Sequence, residues 1–287
     1  MRRFAAGLLT IFVVGIPGSE SPPPRAPLPR LRWPVAVIGH RAGAGVAPEN
    51  TLGAIRQAIR LHVDYVEVDV RTNRDGALVI MHDPTVDRTT NGRGAVRALT
   101  LAEIRLLAAK NRFGSAFQNE RVPTLAEVLA LCRGKVHLYL DQKDADTTTT
   151  LKALKAHGME KSVLVYNEPE PLKEWKQLAP ALPVMPSLPA AYRKPGGVAE
   201  FEASCPAEAL DGHVREWARE LVDQVHAARV KVYVDILGST DNAEGYAGAL
   251  ALGVDGIQTD YPDRLTRFLR EQHHSGRARP FSTPPVR

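Results

Sequence analysis

Short runs of β-branched and alternating residues recur along the chain, separated by stretches whose apolar positions repeat at helical spacing. The runs fall at 35–39, 65–70, 78–81, 136–141, 163–166, 183–185, 231–235 and 256–259. Helical patterns occupy 51–62, 101–109, 125–132, 148–157, 171–178, 215–228 and 243–252, several opened by a capping residue or Pro and closed by Gly. Strand and helix in alternation specify an α/β protein. Eight strands with seven helices in about 235 residues match the size of a (β/α)8 TIM barrel. The barrel is irregular between its second and third runs, where residues 72–77, with Asn73, Asp75 and Gly76, leave room for a turn and none for a helix. Residues 83–123 form an insertion of a length that is usually functional. The stretch 190–211 carries no readable pattern, and no repeat at solenoid period appears.

The flanks read differently. Arg2 and Arg3 precede an apolar run at 4–16 that fits the core of a signal peptide but falls short of the roughly 20 residues needed to cross a bilayer. Residues 1–19 therefore read as a signal peptide or signal anchor, and the chain as exported, periplasmic or secreted, with tethering and membrane proximity through the N-terminus if the segment stays on. Residues 20–34, rich in proline, read as an extended linker, 35–270 as the folded domain and 271–287 as a flexible tail. The net charge of +5 resides in these flanks, since 33–270 holds 29 basic and 30 acidic residues, so the charge does not argue for a nucleic-acid-binding face and no nucleic-acid partner is expected. Two cysteines, Cys132 and Cys205, are too few for a disulfide framework or a thiolate metal site.

The chemistry concentrates at strand ends. Glu67-Val68-Asp69 sets two carboxylates on one face of a strand, with Tyr65, while Val66, Val68 and Val70 take the other. Asp141, at the end of 136–141, is expected to join them. Two unit charges about 4 Å apart repel by roughly 4 kcal/mol at an effective dielectric near 20. A divalent cation cancels that cost, and an all-oxygen donor set favours Ca2+ or Mg2+ over zinc. His40 and His82 both follow strand ends, where a barrel gathers its active-site loops. Two imidazoles beside a bound cation suit general acid–base work, and Arg41 and Lys143 supply positive charge for a phosphate. Gly43-Ala44-Gly45 after the first run is not a dinucleotide fingerprint, because Pro48 occupies the position of the third glycine. The seven other histidines read as structural or solvated.

The ordered set Gly39-His40-Arg41-Ala42-Gly43, Pro48-Glu49-Asn50-Thr51, Glu67-x-Asp69, His82-Asp83, Asp87-Arg88-Thr89-Thr90 and the closing Asp255-Gly256-Ile257-Gln258-Thr259-Asp260-Tyr261-Pro262 resembles the glycerophosphodiester phosphodiesterase family. The resemblance implies a barrel that hydrolyses a small-molecule phosphodiester to an alcohol and glycerol 3-phosphate. It implies His40 and His82 as acid and base, Glu67, Asp69 and a third acid as calcium or magnesium ligands, Arg41 on the phosphate and Glu49 in support. It further implies that residues 83–123 are the family's insertion over the mouth. Three positions depart from the pattern: Ala42 stands for a usual Gly, Asp141-x-Lys143 for Glu-x-Lys, and Val234-Asp235-Ile236-Leu237 for a Trp-containing stretch. Asp141-x-Lys143 is also the form of the related sphingomyelinase D toxins, so a phospholipase D type lyase acting on lipid head groups, and a non-catalytic phosphate-binding barrel, stand as alternatives.

Overall fold

The computed structural model describes residues 25–274; the segment 1–19, the start of the proline-rich stretch and the end of the tail lie outside the described residues. The strands are β1 (Ala36–Gly39), β2 (Tyr65–Thr72), β3 (Leu78–Ile80), β4 (His137–Gln142), β5 (Val163–Tyr166), β6 (Val184–Met185), β7 (Ala209–His213), β8 (Lys231–Ile236) and β9 (Gly256–Thr259). All but β3 are parallel neighbours in the order β6-β5-β4-β2-β1-β9-β8-β7, and a bridge between Ser187 and Asp211 brings the two ends together into a nearly closed barrel. The helices are α1 (Leu52–Arg60), α2 (Leu101–Leu106), α3 (Leu125–Cys132), α4 (Thr147–His157), α5 (Pro169–Leu178), α6 (Gly197–Ser204), α7 (Arg219–Ala227), α8 (Ala243–Leu252) and α9 (Pro262–His274). Among the described residues no helix is long and apolar enough to cross a membrane.

The count of eight barrel strands holds, but its membership differs from the expectation by one exchange. The run at 78–81 is not a barrel strand: β3 folds back antiparallel onto the end of β2, pairing Arg71 with Val79, because the turn between them is too short for a crossover. Its place is taken by β7, whose Ala-Leu-Asp-Gly-His sequence lacks β-branched residues and is held by its neighbour β8.

Alternation along the strands divides the core in two. Val66, Val68 and Val70 of β2 join the large cluster between barrel and helices. Ile38, Tyr65, Tyr139, Leu164, Met185 and Tyr233 point inward and fill the lower half of the barrel. The residues next along the inward series are polar, and they form the upper rim. The insertion packs Val86, Val96, Ile104 and Val122 onto Val79 and Met81 of the β3 segment, a small core that fixes it beside that rim.

Residues 25–34 have no helix or strand, as their prolines dictate, yet they do not behave as a free linker. Leu28 and Leu31 pack against the lower barrel layer. The Ala26 amide donates to Glu208, the Arg32 amide to Asp64 at 2.5 Å, and Arg25 bonds the carbonyls of Ala207 and Ala228. The strap closes the barrel's lower end because side chains far away in sequence satisfy its backbone, which no local periodicity announces. At the other terminus α9 runs to His274, four residues into the stretch read as tail. Cys132 and Cys205 are both buried and free.

Candidate active site

Glu67 and Asp69 sit on the inward face of β2, and register brings Asp69 directly opposite Asp141 of β4. Glu67 is 2 % exposed and Asp69 1 %. One ligand oxygen from each of the three lies within 4.8 Å of the others. Oxygens on opposite sides of a calcium ion are separated by about 4.8 Å, so the spacing fits a single hard divalent cation. Burial, then the charges of Asp69 and Asp141, push Glu67 far above the usual carboxylate range. Such a cluster gains most from a cation. Lys143 provides part of the compensation, with Nζ 2.5 Å from Asp141 and 3.1 Å from Asp69. Burial alone lowers an ammonium, but Asp141 and Asp69 outweigh it and hold Lys143 above its ordinary value.

His40 leaves the end of β1, and His82 follows β3, which explains the short hairpin: it delivers the second imidazole to the same rim. Both rings are gripped alike. His40 Nδ1 lies 2.7 Å from Asp260 Oδ1, and His82 Nδ1 lies 2.8 Å from Asp83 Oδ1. An ionised carboxylate only accepts, so each Nδ1 carries the proton and each Nε2 is left for chemistry. Hydrogen bonding from Arg88, opposed by some desolvation and aided by His82, keeps Asp83 well below the usual carboxylate range. His40, Glu67, Asp69, His82, Asp141 and Lys143 line one cavity of about 180 Å3 at the top of the barrel. All six residues expected to converge there do so.

Arg41 and Glu49 stand just outside that lining and brace it. The Arg41 amide donates to Glu67 at 2.5 Å, and its guanidinium pairs with Glu49 at 3.0 Å. Placing that amide requires a left-handed turn, with φ of +46° at Arg41 and +65° at Ala42. Ala42 thus occupies a conformation that favours glycine. Asn50 donates to Asp69 Oδ2 at 2.7 Å and accepts from the Asp69 amide at 3.3 Å, locking that carboxylate's orientation.

A family model described as the glycerophosphoryl diester phosphodiesterase family matches residues 40–264, most of the chain. The chain belongs to that family. A glycerophosphodiester phosphodiesterase of Caldanaerobacter subterraneus subsp. tengcongensis is 34% identical over 246 residues, covering 82% of this chain and 98% of the relative. Among solved structures, a glycerophosphodiester phosphodiesterase of Agrobacterium tumefaciens superposes with a TM-score of 0.70 at 28% identity, covering 81% of this chain and 99% of that one. A phosphodiesterase of Oleispira antarctica, solved in complex with the product sn-glycerol-3-phosphate, superposes with a TM-score of 0.71 at 27% identity, covering 82% of this chain and 96% of that one. The protein is accordingly a glycerophosphodiester phosphodiesterase by family, built on the barrel described above.

Within this family frame, four residues matter that received no role from sequence. Asp83 and Asp260 orient the two imidazoles, although both stood inside recognised motifs. Arg88, from Asp87-Arg88-Thr89-Thr90, reaches out of the insertion and clamps two carboxylates at once: Glu49 at 2.6 and 2.8 Å and Asp83 at 2.7 and 2.9 Å. Asp211 carries no signal in the sequence, because it ends the unpatterned stretch 190–211 in which β7 begins. It lines the cavity together with Asp235, Gln258, Tyr139 and Tyr166.

Proposed function

We propose that this glycerophosphodiester phosphodiesterase is metal-dependent and uses His40 and His82 as its proton-transferring pair. The observation that carries the reading is the matched pair of His–carboxylate contacts facing one cavity beside three clustered carboxylates. Glu67, Asp69 and Asp141 would hold one divalent cation, calcium or magnesium, whose charge would polarise a phosphoryl oxygen. Lys143 and Arg41 add positive charge near the diester, and Glu49 with Arg88 holds Arg41 in place.

One imidazole removes the proton from the attacking hydroxyl as its oxygen bonds phosphorus. The other protonates the alcohol oxygen as its bond to phosphorus breaks, leaving glycerol 3-phosphate when water attacks, or a cyclic phosphate that water then opens when the glycerol 2-hydroxyl attacks. Asp83 and Asp260 stabilise the imidazolium that each ring becomes in turn. The attacker is water or the glycerol 2-hydroxyl; the second route passes through a cyclic phosphate, which phosphorus NMR detects. The apolar run at 4–16 supports export, which fractionation of cells expressing the full chain tests.

The test of the catalytic reading is release of sn-glycerol 3-phosphate from glycerophosphocholine. Folded His40→Ala and His82→Ala proteins are expected to lose at least about 10²- to 10⁴-fold in kcat. Activity within tenfold of the unaltered chain in both would remove the imidazoles from the mechanism.

A further inference from the structure

Across the cavity from the cation-binding carboxylates stands a second polar wall that the proposed mechanism does not use. Asp211 of β7 and Asp235 of β8 point inward from adjacent strands, and Gln258 of β9 lies beside them, in register with Asp235. Asp211 is 5 % exposed, and its Oδ1 meets no donor among the described residues. Gln258 is 6 % exposed; its Nε2 donates to Asp235 at 2.8 Å, which leaves its Oε1 buried with no donor among those residues either. The unmet atoms on this wall are therefore acceptors. Buried acceptors without donors are costly, and both residues line one cavity, where a ligand that brings several donors would satisfy them.

A primary ammonium group has three N–H donors and no acceptor. It also brings a permanent positive charge to a wall where Asp235 has only the imidazoles of His40 and His213 as opposing charge partners, and the rings of Tyr139 and Tyr166 line the same space. A neutral polyol would match the wall less well, since each hydroxyl brings an acceptor along with its donor. A further hollow beside the rim, about 440 Å3, is bordered by Arg88, Lys110 and Arg112 against the single carboxylate of Glu49, and its surplus of positive charge disfavours such a group.

We propose that Asp211, Asp235 and Gln258 form a subsite for a primary ammonium on the substrate's alcohol arm, making diesters of an amino alcohol, the glycerophosphoethanolamine type, the preferred substrates. This rests on the phosphodiesterase reading above and adds to it the choice of alcohol. Burial and the neighbouring charge raise Asp211 well above the carboxylate range, and burial raises Asp235 to about 6. An arriving ammonium favours the charged form of each.

The experiment compares kcat/KM of the metal-loaded full chain on glycerophosphoethanolamine, glycerophosphocholine and glycerophosphoglycerol. The ammonium diester is expected to lead the glycerol diester by about 10- to 100-fold, with choline, which lacks N–H donors, between them. In Asp211→Asn the ratio should collapse toward one. Because that variant can misfold, ethanolamine and its neutral isostere propanol are also titrated calorimetrically into the unaltered chain, and only ethanolamine should bind. Equal kcat/KM values for the three diesters, or equal binding of the two small alcohols, overturn the subsite while leaving the phosphodiesterase reading intact. A second bound divalent metal that disappears in Asp211→Asn overturns it in favour of a two-metal site. Absence of turnover on all three diesters counts against the phosphodiesterase reading instead, and ethanolamine binding still decides the subsite.

Discussion

Arg88→Ala tests how the insertion contributes to the site. The guanidinium makes four charge-assisted hydrogen bonds of 2.6 to 2.9 Å to Glu49 and Asp83, and its side chain is 46 % exposed. Exposed ion pairs contribute about 0.2–1 kcal/mol each, and two bidentate pairs with half-buried partners belong at the upper end, so the folding cost is about 1–2 kcal/mol. The effect on the site should be larger than the effect on the fold. Glu49 would keep Arg41 alone, and Asp83, freed of its clamp, would no longer hold His82 in one orientation. A loss of about 10- to 100-fold in kcat/KM, or roughly 1.4–2.8 kcal/mol of transition-state stabilisation, is expected. Arg88→Lys should recover little, since one ammonium cannot serve both carboxylates bidentately. Steady-state hydrolysis of glycerophosphocholine, with urea denaturation of the same proteins, separates the two effects. A folded Arg88→Ala enzyme within twofold of the unaltered kcat/KM would show that the clamp positions nothing.

The remaining expectations concern the scaffold. Burial pushes the Asp64 carboxyl up to about 7, although the Arg32 and Val37 amides it accepts pull the other way. Between about pH 4 and 7 the folded chain then keeps a proton that the unfolded chain has released, so the Asp64 contribution to stability falls as pH rises through that window and is flat above it. Urea midpoints across the window should decline less steeply in Asp64→Asn; parallel slopes would contradict the assignment. Burial likewise raises the Cys132 thiol to about 12 and Cys205 to about 11. Native protein should label with a thiol reagent at least about 100-fold more slowly than urea-unfolded protein, and fast labelling of either would mean that its packing is wrong.

How far the sequence could be read follows from the physics of each element. The β2 run was readable because Val66, Val68 and Val70 alternate with Tyr65, Glu67 and Asp69, and two acids on an inward face have few explanations other than a site. His40, His82 and Asp141 followed from their places at strand ends. β7 was hidden, since Ala209, Gly212 and His213 carry no strand preference and the segment is made a strand by its partner. The run at 78–81 looked like a barrel strand because periodicity reports burial, not the direction of the chain. The strap was hidden for a related reason: Ala26 is held by Glu208, 182 residues away, and Leu28 and Leu31 find apolar partners only once the barrel has closed. The clamp by Arg88 and the acceptor wall at Asp211 and Gln258 depend on side-chain convergence that a linear pattern does not contain.

Three carboxylates and two carboxylate-gripped imidazoles are proposed to act together on one phosphodiester through a bound divalent cation. The most direct measurement is turnover of glycerophosphocholine by the full chain after chelation, then on readdition of calcium or magnesium, for the unaltered chain and for Glu67→Gln. Background activity without metal, recovery on readdition, and a metal requirement in Glu67→Gln shifted to at least about tenfold higher concentration are expected. Undiminished turnover by protein that elemental analysis finds free of metal would contradict this mechanism.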